Sequence, residues 1–136
     1  MTPWPLSTAF PLTLAGAIVL ILAVDALGAW LTRGDPAVYR RLWPLQFGCY
    51  VIVGFVAMLT TLELRYVEMI GAITGFVEAT LGWAITWRMG AGRVERATPD
   101  RIAVVVASMT AFGFGFAVLG AILFNVVLTV VLRAHG

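Results

Sequence analysis

The sequence predicts an all-α membrane protein of four transmembrane helices, with a faint trace of a parallel tandem repeat of two helical hairpins. Three observations predict it. Of the 136 residues, 61% are hydrophobic and 12% charged, whereas soluble domains run near half apolar and about a quarter charged. Mean hydropathy is +0.97. The apolar residues fall into runs separated by short breaks rich in arginine, glycine and proline. Each run reaches the roughly 20 helical residues that a bilayer core demands. Residues 1–136 thus hold one domain of four crossings with no room for an extramembrane domain, and function is expected within the bundle or at its rims.

The first helix is expected over about 8–32. The segment before it, MTPWPLSTAFP, carries three prolines and no charge, which lacks the basic start and small-residue cleavage site of a secretory signal. Trp4 and Trp30 are placed as outer and inner interfacial anchors. Arg33-Gly34-Asp35-Pro36 ends this helix and starts the next, because glycine suits a helix C-terminus and Asp-Pro an N-cap with proline at the first helical position. The second helix spans about 36–62, with a kink or restart expected at Pro44. A short turn around Glu63-Leu64-Arg65 leads to the third, about 66–88. The loop Gly90 to Arg96 follows, and Thr98-Pro99-Asp100 repeats the cap-plus-proline signal for a fourth helix over about 98–132. From Ile102 to Leu132 no charge occurs, about 46 Å at 1.5 Å per residue. One long tilted helix, bent at Gly113, Gly115 or Gly120, is the expected solution.

Arginine sets the orientation. Arg33, Arg40 and Arg41 follow the first helix, and Arg88, Arg93, Arg96 and Arg101 follow the third; only Arg65 and Arg133 lie on the other side. Both termini are therefore expected outside and both arginine-rich connections in the cytoplasm, in the cell (inner) membrane. Arg88, Arg93 and Arg96 are candidates for contact with anionic lipid headgroups. The formal charge of +2 is a loop effect and does not point to nucleic acid.

An echo links the two halves, 8–62 and 66–132. Val24-Asp25-Ala26-Leu27-Gly28-Ala29-Trp30, then Thr32-Arg33-Gly34, matches Val77-Glu78-Ala79-Thr80-Leu81-Gly82-Trp83, then Thr86-Trp87-Arg88-Met89-Gly90, with one residue inserted. Helices one and three point the same way, so a repeat would be parallel.

The third helix carries the main chemistry. Glu68, Gly71, Gly75, Glu78 and Gly82 recur three or four residues apart and form one stripe. Gly71, Gly75 and Gly82, with Gly113, Ala117 and Ala121 on the fourth helix, are candidates for close helix packing. Glu78 lies near mid-helix and Asp25 about two turns from the arginine-rich rim. An ionised carboxylate at the bilayer centre costs on the order of 3 kcal/mol on insertion scales, so such acids seek a partner, a proton or water. Glu78 and Asp25 are the leading candidates for binding a proton or cation. Glu68, near the outer rim, and Asn125, at similar depth in the fourth helix and within reach of bonding it, complete the set.

Several chemistries find no residues here. All the basic residues are arginine, which removes lysine Schiff-base catalysis. His135 is the one histidine and Cys49 the one cysteine, so no paired-histidine haem ligation, disulfide or thiolate metal cluster is expected within one chain, and no metal or cofactor. Cys49 reads as a small buried apolar residue. With no nucleophile–base pair in the bundle, an enzyme is not expected. The expected function is a small transporter or channel-like protein acting as a homo-oligomer in the lipid bilayer, its pathway between subunits. The alternative is an accessory or assembly subunit of a larger membrane complex, with Glu78 bonding a partner helix.

Overall fold

A computed structural model describes residues 5–32, 35–90 and 98–135, and these contain helices and no strand. Four helices are long and apolar enough to cross a membrane: α1 (Leu6–Leu31), α2 (Ala37–Thr61), α3 (Leu64–Arg88) and α4 (Pro99–His135). Trp4, Arg33, Gly34, Arg93 and Arg96 lie outside the described residues.

Local sequence explains the boundaries. α1 starts two residues before the expected position, with Pro5 accepting from Thr8 and Ala9 and Pro11 tolerated inside the helix. In α2 a 3-10 turn at Arg40–Leu42 precedes an α-helical restart at Trp43, with Pro44 in its first turn. Proline costs little there because the first amides of a helix have no intrahelical acceptor. The turn between α2 and α3 is only Leu62 and Glu63, and α3 begins at Leu64, two residues earlier than the spacing predicts. Leu62 reverses the chain with φ 55, a left-handed conformation that costs a non-glycine residue about 1–2 kcal/mol. Its amide donates to the Met58 carbonyl, which satisfies one of the free helix-end acceptors. The Arg65–Glu63 ion pair beside it, 2.7 Å long, is largely exposed and adds little.

α4 lies against both α2 and α3 at backbone distance. Gly71 faces the Gly113 carbonyl and the Ala117 methyl, Gly75 faces the Met109 carbonyl, and Gly113 faces the Gly71 carbonyl. On the other side Gly54 faces the Ala117 backbone and Gly120 faces the Val51 carbonyl. Without side chains in the way, the helices gain dispersion contacts along their whole crossing. α1 packs on α2 and α3, tied to α2 by a 3.0 Å bond between the Thr13 and Thr60 hydroxyls. The core comprises Ala17, Val53, Ala57, Val67, Ile70 and neighbours, with Tyr50 wholly buried beside Ile21 and Cys49. Phe47 stacks on Phe116 at 4.7 Å between ring centroids and also meets Phe112.

Outward faces are largely apolar: Val19, Leu27, Leu45, Ile52, Phe76 and Leu81 are all exposed. α4 remains α-helical through Gly113, Gly115 and Gly120. Its last packed residue is Phe124, which meets Phe55 edge-on at 5.3 Å; residues 125–135 are exposed on every side.

Candidate functional site

Consecutive helices joined by short turns run antiparallel, so α1 and α3 run in parallel and bring their acids to the same end of the bundle. Asp25 lies about 9 Å along α1 from its C-terminal end and Glu78 about 15 Å along α3, at 1.5 Å per residue. Both are buried, with exposures of 2% and 4%.

α2 supplies their partners. Tyr39, Gln46 and Tyr50 share one face of that helix, seven and four residues apart. The Tyr39 hydroxyl donates to Asp25 Oδ1 at 3.0 Å, and Gln46 Nε2 donates to the same oxygen at 2.7 Å and to the Tyr39 hydroxyl at 3.2 Å. The Tyr50 hydroxyl donates to Glu78 Oε2. Asp25 Oδ2 is buried with no hydrogen-bond partner. Among the described residues the acids meet phenols and an amide, and the Arg65–Glu63 ion pair lies at the other end of the bundle.

Gly82 is where the two acids converge. A side chain there would start in collision with Asp25 Oδ2 and 3.3 Å from Glu78 Cγ. Glycine at this position therefore makes room for a carboxylate from α1, rather than for the backbone of α4 as at Gly71 and Gly75. The segment Glu78–Gly82 is a π-turn, in which the Trp83 amide bonds back to the Glu78 carbonyl five residues earlier. Such turns are rare and recur at functional sites.

Beside the acids lies a cleft of about 160 Å³ between α3 and the start of α4. Asp25, Gln46 and Glu78 form its polar side; Trp83, Val105 and Met109 form its apolar side. A smaller neighbouring cleft shares Ala79, Trp83 and Val105 and extends to Ile102 and Arg101. Among the described residues no three His, Cys, Asp or Glu side chains gather as a metal site. No protein-family model matches this chain, and no curated protein or solved structure does so either.

The structure thus joins two of the four acceptors singled out from sequence and leaves two apart. Glu68 lies in the second turn of α3, ten residues before Glu78. Asn125 is exposed and donates to the Ala121 carbonyl of its own helix at 3.0 Å, not to Glu68. Arg88 ends α3, exposed. Sequence reasoning missed Tyr39, Gln46 and Tyr50. Their signal was available: a helical face bearing two phenols and an amide in an otherwise apolar span needs hydrogen-bond partners.

Proposed function

We propose that this protein is a small integral membrane transporter or channel-like protein in which Asp25 and Glu78 bind a proton or cation. The observation that carries this reading is the convergence of two buried carboxylates on Gly82, with phenol and amide donors and an unpartnered Asp25 oxygen. Two acids at such range in a low-dielectric interior do not both stay ionised without a counter-charge. A proton shared by the pair, or a cation entering the cleft, supplies it. The apolar outer faces support membrane insertion, and the arginine distribution supports cytoplasmic connections with both termini outside. Arg88, Arg93 and Arg96 would then meet anionic headgroups.

A parallel repeat accounts for the site's position. Gly28 and Thr32 stand in the same relation as Gly82 and Thr86, and both threonines bond back to carbonyls of their own helices. From the acid to the glycine, however, α3 has one residue more than α1, and that residue falls in the π-turn, the form a helix takes when it absorbs a single insertion. Aligning Pro36 with Pro99 pairs Tyr50 with Gly113 and Gly54 with Ala117. Those same pairs touch across the bundle, as positions on a pseudo-twofold axis would.

Self-association completes the reading. Beyond Phe124, α4 presents Asn125, Thr129 and Arg133 on one stripe with no neighbouring helix, and a polar stripe in an apolar span favours a partner helix. A second copy gives a homo-oligomer; an unrelated helix would make this chain an accessory subunit. Ion or proton flux into proteoliposomes tests the function. Glu78→Gln and Asp25→Asn are each expected to reduce flux at least about tenfold, the scale of one lost charge-assisted interaction. Wild-type flux in both variants would remove the pair from any transport mechanism.

A further inference from the structure

Resting on the carboxylate pair as a binding site, we propose that the cleft takes an organic monocation: an ammonium or guanidinium head joined to an alkyl or aromatic body. Charge decides the first part. The polar side presents two carboxylates, and among the described residues no arginine, lysine or histidine lines this cleft, Arg101 bordering only the smaller one beside it, which favours a cationic occupant at the acids.

The vacant acceptor decides the second. Asp25 Oδ1 already receives two hydrogen bonds, whereas Oδ2, on a residue 2% exposed, receives none. A buried acceptor without a donor is costly, and an N–H of a cationic head satisfies both its charge and its lone pairs. A bare metal ion meets a poorer site, since no cluster of three ligating side chains occurs among the described residues.

Size and lining decide the third. The cleft holds about 160 Å³, many times the roughly 10–15 Å³ that a cavity needs to hold one water. Its other wall is Trp83, Val105 and Met109, which accept a hydrocarbon body, and an indole favours a cation against its face. The shared wall with the smaller cleft extends this apolar surface toward Ile102, with Arg101 at its edge, so the uncharged body lies along α3 and α4 while the head stays at Asp25.

The test is binding of benzylammonium to the full chain in mild detergent, followed by calorimetry, with potassium chloride as competitor at constant ionic strength and tetraethylammonium, which has no N–H for Asp25 Oδ2, as a comparison expected to bind more weakly. Saturable binding of benzylammonium is expected, weakened about tenfold or more by Asp25→Asn, the loss of one charge-assisted bond. Trp83→Leu, which leaves both acids in place, is expected to weaken it as well. Potassium is not expected to displace it. Binding indifferent to both substitutions, displacement by potassium at equal concentration, or no binding by a monodisperse protein would overturn the inference. If flux still depends on Glu78 while benzylammonium does not bind, the organic cation is wrong and the proton site stands. Loss of both removes the site itself.

Discussion

Replacing Gly82 by alanine is expected to silence the site without changing any charge. Alanine is the better helix former by about 1 kcal/mol in an exposed helix, so intrinsic propensity alone favours the change. The new methyl, however, starts where Asp25 Oδ2 lies and beside Glu78 Cγ. The carboxylate must move, and moving it breaks the bonds that Oδ1 accepts from Tyr39 and Gln46. Flux in proteoliposomes should fall as far as in Glu78→Gln, while the helices stay assembled. Gly28→Ala is the comparison. Its methyl meets Leu42 Cδ1 and Tyr39 Cε2 at 3.2 Å and Tyr39 Cδ2 at 3.7 Å, so the ring that donates to Asp25 must give by a few tenths of an ångström while Asp25 itself keeps its place; flux should fall less than in Gly82→Ala. Wild-type flux in Gly82→Ala would mean that Asp25 is not needed where the structure puts it.

The largest effect on stability is expected at Gly54. A methyl at this position collides with the Ala117 carbonyl of α4, a backbone group that cannot rotate aside. The two helices must separate, and overpacking of this kind costs typically about 1–3 kcal/mol. At Gly16 and Gly115 a methyl meets nothing within 4 Å. Alanine there gains helix propensity, worth up to about 1 kcal/mol. Thermal unfolding in one detergent should therefore shift down for Gly54→Ala and stay level or rise for Gly115→Ala. A shift of the same sign and size at both positions would contradict the close α2–α4 crossing.

Much of this architecture was legible in the residues. Asp35-Pro36 and Thr98-Pro99 mark helix starts because proline lacks the amide that a first turn would leave unused, and the apolar runs between such breaks fix four long helices. Asp25 and Glu78 stood out because acids are rare in apolar spans. Their meeting was less legible: depth along separate helices does not say which faces turn together, so Glu68 and Asn125 stayed in the candidate set behind them. Gly54 does not stand out in the sequence and Gly120 stands out only as a bend, because neither belongs to a stripe on its own helix like that of Gly71 and Gly75; only the crossing of α2 with α4 makes them contact points. The π-turn at Glu78–Gly82 has no propensity signature, and it becomes visible only as the residue by which α3 exceeds α1 between acid and glycine.

The most direct measurement is infrared difference spectroscopy of the protein in lipid during a pH titration. If Asp25 and Glu78 share a protonation site inside the bundle, a carboxylic carbonyl band should appear and vanish with pH, and Glu78→Gln should abolish or shift it. A spectrum without such a band, or one that is unchanged in both Glu78→Gln and Asp25→Asn, would show that these acids never exchange a proton there.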